Sequence, residues 1–307
     1  MDGDVCLPMF TAVGDEIGGD SSSELWYFSP MKRVHTLEFE DLPWFPDWLR
    51  SPMTNNIVVM GRWLGVPSAV AGLLGKMVKE LGTSSVVDLG SGGGGSMPEV
   101  IDRMREEGGS PDLKLTLTDK YPNADALASL NDSARPHIRY LETSVDATSI
   151  GSAPDGIKTM VNCFHHMRPD EARSILKSAF DKREPILIYE MGGDKLAPFP
   201  LWLLTLPIGL SIVALLAFIK SALVRPFTFR QFFFTYVIPL VPIFYAWDGQ
   251  ASMPRIYRFE DLDELLEGLS ADDYVWEKGY GDNNGRKAGS YLMGMPRVGD
   301  KGDKNVA

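Results

Sequence analysis

Hydrophobic and polar positions fall into two rhythms along this 307-residue chain. Short apolar runs at 85–90 (SVVDLG), 113–119 (LKLTLTD), 137–142 (HIRYLE), 157–162 (IKTMVN) and 185–191 (PILIYEM) have the composition and length of strands. Between them, at 97–107, 123–131 and 168–182, apolar residues recur at helical spacing, and Pro169 suits the first turn of the last of these helices. Strands separated by helices predict a parallel sheet covered on both faces. An amphipathic helix is predicted over 258–270. Two more strands, 273–280 and 289–295, follow as an antiparallel pair joined by the turn-forming GDNNGRKA. The expected fold is α/β: a Rossmann-like, doubly wound, mostly parallel sheet with a closing antiparallel strand. To it are added an N-terminal helical lid and a hydrophobic helical insertion.

The boundaries follow from shifts in this pattern. Residues 1–30 read as a disordered acidic tail, with neither the basic start nor the apolar stretch of a signal peptide. Residues 31–82 form the expected lid, in which 36–82 read as helical and Trp44, Phe45, Trp48 and Leu49 cluster. Residues 83–191 are the expected cofactor-binding core, 192–256 the insertion, 257–296 the helix and strand pair completing the core, and 297–307 a second tail.

The insertion breaks both rhythms. Residues 196–219 carry no charge, and at about 1.5 Å per residue such a helix matches a bilayer core of about 30 Å. A second uncharged run covers 231–247, with Lys220, Arg225 and Arg230 between the two. A spanning hairpin would place that basic loop in the cytoplasm and the catalytic domain on the opposite side, away from a cytosolic cofactor. Prolines at 198, 200, 207, 239 and 242 also interrupt it. Two other readings are preferred: a cap that builds an apolar acceptor pocket, or a peripheral membrane contact through 196–247 that collects a lipophilic acceptor.

Charge and cysteine content narrow the function. A net charge of -11 argues against nucleic acid as a partner. The two cysteines, Cys6 and Cys163, make no disulfide framework, so a reducing, cytoplasmic location is expected, with or without membrane contact.

The stretch SSVVDLGSGGGGSMPEV (84–100) places a glycine-rich loop directly after the first strand, where an open α/β sheet meets its ligand. Gly90, Gly92 and Gly95 satisfy the dinucleotide pattern G-x-G-x-x-G. Asp88, Gly90, Gly92 and Gly94 satisfy D-x-G-x-G-x-G as well, and with them the chain resembles the class I S-adenosylmethionine-dependent methyltransferases. Asp88 suits a ligand carrying an ammonium and a sulfonium and would repel a pyrophosphate. Asp119, ending the second strand, is placed to accept ribose hydroxyls in either reading. The resemblance implies that Asp146, in SVDA after the third strand, contacts the adenine. It implies S-adenosyl-L-methionine as cofactor, bound by Asp88, Gly90, Ser91, Gly92, Gly94, Asp119, Lys120, Asp146, Ala147 and Asn162. The insertion and its surroundings (TYVIPLVP, WDGQASMPRIYRFEDLDEL) further resemble an uncharacterised subgroup of that class.

In this family the loop after strand four lies beside the transferable methyl. Here it reads NCFHHMRPD, so His165 and His166 are candidate general bases, His166 first. Glu190 ends strand five and is the third catalytic candidate. No metal is expected, because adjacent histidines on a turn rarely converge on one ion and neither His35 nor His137 shows ligand spacing with them. Trp44, Arg50, Trp247, Asp248 and Arg255 are candidate acceptor contacts, against the plainer reading of a turn closed by a salt bridge. The expected function is methyl transfer to a hydrophobic or amphiphilic small molecule at oxygen, nitrogen or carbon. The alternatives are an NAD(P)-dependent oxidoreductase on the same fold and a non-catalytic membrane-associated protein.

Overall fold

The computed structural model describes residues 31–107, 109–131, 134–193 and 197–297. The tail expected at 1–30, Cys6 within it, and all but the first residue of the tail expected at 297–307 lie outside these. The compact unit begins at Lys32.

Seven strands form one sheet in the order β3-β2-β1-β4-β5-β7-β6. These are β1 (Ser85–Leu89), β2 (Lys114–Thr118), β3 (Ile138–Tyr140), β4 (Ile157–Val161), β5 (Ile186–Glu190), β6 (Tyr274–Asn283) and β7 (Arg286–Pro296). The first five are parallel, and β7 pairs antiparallel with both β5 and β6. The order reverses between β1 and β4, so their carboxyl ends border the crevice where such sheets bind ligands. Both faces of the sheet are covered: Val86, Leu115, Leu117 and Leu187 are buried on one parity, Val87, Leu89, Ile186 and Ile188 on the other.

The helices are α1 (Asp47–Leu64), α2 (Val66–Leu81), α3 (Met97–Glu106), α4 (Ala124–Leu130), α5 (Pro169–Lys182), α6 (Phe199–Lys220), α7 (Phe229–Phe232), α8 (Leu240–Ala251) and α9 (Phe259–Leu265). The predicted 36–82 helical stretch begins only at Asp47, since 36–46 is irregular apart from a 3-10 turn at Phe39–Asp41, and it is divided at Gly65, whose φ of 82° ends α1 and starts α2. Of the two, α2 belongs to the core: Val66, Ala69, Val70, Leu74 and Met77 pack with α3 and the sheet. The last helix stops at Leu265, short of the predicted 270. The predicted eight-residue turn at 281–288 is instead a two-residue one, Asn284 and Gly285 at φ 54° and 79°. Two positive φ values in succession match the twist of a hairpin, so both strands run on to the turn.

The insertion folds as α6, a 3-10 turn (Ser221–Leu223), α7, a π-helical turn (Phe233–Val237) and α8. The second half of α6 is pinned to the body. Val213, Leu216 and Ala217 pack with Met53, Ile57 and Met60 of α1 and with Val241 and Tyr245 of α8. The Asn56 and Ser221 side chains meet at 2.8 Å. The opposite face is bare: Leu201, Leu204, Ile208, Ile212, Leu215 and Ile219, spaced three and four apart, are all exposed, Leu204 to 76%. Among the described residues one helix, Phe199–Leu223 with its terminal turn, is long and apolar enough to cross a membrane.

Candidate functional site

The glycine loop leaves β1 at the reversal point, and the structure shows what its residues need. Asp88 is buried, and each carboxylate oxygen accepts a hydroxyl at 2.7 Å, one from Ser91 and one from Thr159 of β4. Burial pushes its pKa up to about 7, against the two hydroxyl donors, with the charge of Asp119 adding to the rise. Asp88 therefore braces the loop through Ser91 as well as setting its charge. The Ser91 oxygen in turn accepts the Thr118 N–H at 3.2 Å, tying the loop to the end of β2.

Gly92 sits at φ 49°, and its N–H donates to Asp119 at 2.8 Å, while the other Asp119 oxygen accepts from the Tyr121 N–H. Gly94 is at φ 96°, and a Cβ there would lie 2.6 Å from Leu130 of α4. The positive φ strains any side chain here, and the tip of Leu130 would also have to move. Asp146 caps the turn at 147–152 through the Thr148 N–H and pairs with Lys120 at 2.8 Å. The bond from Lys120, then that from Thr148, lowers its pKa to about 2. Ala147 begins that turn. Asn162, at φ 56°, accepts the Met191 N–H at 2.7 Å and so links the ends of β4 and β5. Thus Asp88, Ser91, Gly92, Gly94 and Asp119 are joined by hydrogen bonds, Gly90 lies between them at φ 69°, and Lys120 beside Asp119 pairs with Asp146 on the loop after β3.

The catalytic candidates form a second group. His165 is buried, its N–H and Nδ1 lying 3.0 and 2.8 Å from the two oxygens of Glu190. An ionised carboxylate only accepts, so Nδ1 donates to Glu190 and Nε2 is the ring nitrogen left free of that contact. The rings of His165 and His166 lie 4.2 Å apart, and His166 Nδ1 is 2.7 Å from Asp41.

Sequence reasoning missed the other side of this group, which comes from residues 33–41. Glu38, 2% exposed, faces both rings: its oxygens lie 3.9 Å from His165 Nε2 and 3.8 Å from His166 Nδ1. Burial pushes the Glu38 pKa up to about 7; Asp41 and Asp248 add to this, while His166 and Arg255 oppose it. Burial also acts on Asp41, but the bond and charge of His166 and the charge of Arg255 outweigh it and hold that carboxyl well below its usual range. Nothing in the stretch HTLEFEDLP marks these acids, because their partners lie more than a hundred residues away.

The candidate acceptor contacts have structural partners. Arg255, fully buried, reaches Glu38 at 2.8 Å and Asp41 at 2.6 Å. Asp248 accepts the N–H groups of Phe39 and Glu40, and Trp247 donates to the Leu37 carbonyl. Arg50 pairs with Asp47 and lies 3.3 Å from the Glu40 and Leu42 carbonyls. These four hold segment 37–42 in place, whereas Trp44 is 68% exposed against Phe39 and Phe45.

No protein-family model matches the chain, and no curated protein matches it. Among solved structures, the plantazolicin methyltransferase BpumL in complex with SAH is similar at 13% identity. The match covers 87% of this chain and 95% of that one at a TM-score of 0.50. The mitomycin 7-O-methyltransferase MmcR, at 18% identity and a TM-score of 0.40, is matched over 70% of this chain and 49% of its own. The neocarzinostatin O-methyltransferase NcsB1, at 11% and 0.40, is matched over 74% and 57%. Strand order and the first of these likenesses define the class: the chain has the fold of the class I S-adenosylmethionine-dependent methyltransferases.

Proposed function

We propose that the chain transfers a methyl group from S-adenosyl-L-methionine to an amphiphilic small molecule. The observation that carries this is the Asp119 carboxylate at the end of β2, bonded to the Gly92 N–H of the loop leaving β1. A bare loop flanked by Asp88 and Asp119 fits a ligand with a cationic end and a ribose. The likeness to the plantazolicin methyltransferase supports this reading over an NAD(P)-dependent oxidoreductase. The holding residues are Asp88, Gly90, Ser91, Gly92, Gly94, Asp119, Lys120, Asp146, Ala147 and Asn162. Bound there, S-adenosyl-L-methionine would supply an electrophilic methyl on its sulfonium, and the acceptor's proton would pass to His165 or His166.

His165, His166 and Glu190 prepare the acceptor. Glu190 fixes the His165 ring so that Nε2 faces the space in front of Glu38. Arg50, Trp247, Asp248 and Arg255 act by holding the wall at 37–42, and Trp44 contacts the acceptor. The wall shields the reacting groups from water, which methyl transfer requires.

The exposed face of α6 supports a lipophilic acceptor taken from a cytoplasmic membrane surface. Thr205 and Ser211, both exposed, bond back to carbonyls of their own helix at 2.9 and 2.8 Å, which lowers the cost of placing them in an apolar surrounding. One side of α6 is packed on α1, which carries Arg50 and Arg62, and this favours a helix lying in a leaflet over one that spans it. Incubation with methyl-labelled S-adenosylmethionine and a lipid extract tests the function. Label in the organic phase supports it; label confined to protein or to water-soluble products overturns the acceptor class.

A further inference from the structure

We propose that Glu38, His165 and His166 bind one first-row divalent cation. The inference deepens the reading above, since the ion would hold and acidify an acceptor hydroxyl beside the methyl donor.

Three separate observations carry it. First, one ligand atom from each of the three residues lies within 4.8 Å of the others. Both imidazoles face the same carboxylate, at 3.9 and 3.8 Å. Ligands about 2.1 Å from a shared ion stand roughly 3–4 Å apart, so only a small closure is needed.

Second, two polar atoms face each other without bonding. Glu190 engages Nδ1 of His165, and its Nε2 faces a Glu38 oxygen at 3.9 Å, too far for a hydrogen bond and wide enough for a shared ion. That Glu38 oxygen is buried and makes no hydrogen bond; its contact is the ion pair with Arg255. A carboxylate on the far nitrogen of a histidine is the usual outer support of a metal-binding imidazole. Glu190 fits that role with both oxygens engaged by one residue.

Third, the rings sit among acidic side chains. Glu38, Asp41, Glu190 and Asp248 surround the rings, against the guanidinium groups of Arg255 and Arg33, the latter on the His165 carbonyl at 2.8 Å. Arg255 contacts Glu38 and Asp41 and shares the first of these with the ion. Two imidazoles and a carboxylate suit Zn2+, Mn2+ or Fe2+ and disfavour Mg2+ and Ca2+. His166 Nδ1 must give up the hydrogen it presents to Asp41, so binding releases a proton.

The test uses tag-free full-length protein, stripped with chelator and titrated calorimetrically with Zn2+, then with Mn2+ and Mg2+. The expected result is one ion per chain, Zn2+ tighter than Mn2+, and no Mg2+ binding. Affinity should drop at least tenfold in Glu38→Gln and His166→Ala, and by roughly 10–100-fold in the outer variant Glu190→Gln. In case a variant fails to fold, Co2+ loaded into the wild type should give a visible absorption band of nitrogen and oxygen ligation. No stoichiometric binding, or binding that all three folded variants retain, overturns the proposal and leaves the imidazoles as free bases. Binding of S-adenosylhomocysteine is measured on the same samples. If the cation binds and that ligand does not, the methyl-donor reading fails while the cation site stands.

Discussion

Glu190 holds His165 at two points, one carboxylate oxygen on the ring nitrogen Nδ1 at 2.8 Å and the other on the backbone N–H at 3.0 Å. One side chain at the end of β5 thereby fixes both the position and the hydrogen placement of a ring on the β4 loop. Both residues are buried, so removing the acid leaves two donors without partners.

The Glu190→Ala variant should therefore lose about 2–4 kcal/mol of stability, as for a buried charged hydrogen-bond partner removed from its donors. Glu190→Gln, which keeps one acceptor, should lose less than half of that. Urea denaturation of the three proteins gives the comparison.

Arg255 is the cation at the centre of the Glu38–Asp41 pair, and it is fully buried. Its replacement by Met should cost about 3–5 kcal/mol, because two acids lose their counter-charge. Limited proteolysis should then cut within residues 33–42, where the wild type resists.

Asp88 predicts a pH dependence of stability. Its pKa rises on folding from 3.8 to about 7, so the folded state keeps a proton that the unfolded chain releases. That contribution is fully present below pH 3.8 and is lost as pH rises through 7. The stability of wild type relative to Asp88→Asn should fall over that window, by at most about 1.4 kcal/mol per pH unit. A flat difference across pH 4–7 would show that Asp88 titrates normally.

The outward stripe of α6 predicts membrane contact without a structural role. Leu204→Glu with Ile208→Glu, both exposed, should leave the melting curve nearly unchanged and abolish sedimentation with vesicles of phosphatidylcholine and anionic phosphatidylglycerol. Lys220, Arg225 and Arg230 make that association salt-sensitive. Alkaline carbonate should release the wild-type protein; resistance to it would mean α6 spans the bilayer.

Much of the fold was legible because its signals are local. The runs SVVDLG, LKLTLTD and PILIYEM fix strands, and the loop after β1 needs glycine at positions such as 92 and 94 whatever surrounds it. The division of the N-terminal stretch was less legible, since apolar spacing continues through Gly65 and only its positive φ separates α1 from α2. Half of the candidate site was hidden for a different reason. His165, His166 and Glu190 stand at strand ends, where position suggests chemistry, but Glu38 and Asp41 lie on an irregular segment. They become site residues only because Asp248 and Arg255 hold them there. Such pairings over two hundred residues leave no trace in spacing.

The central claim is that the loop between β1 and α3, closed by Asp119, binds S-adenosylmethionine. Calorimetric titration of the purified chain with S-adenosylhomocysteine tests it most directly, with NAD as control and Asp119→Ala beside the wild type. The account predicts micromolar binding of the first ligand, none of NAD, and about tenfold or greater weakening in the variant, the loss expected for a charge-assisted hydrogen bond. Binding of NAD in its place, or of neither ligand, would contradict it.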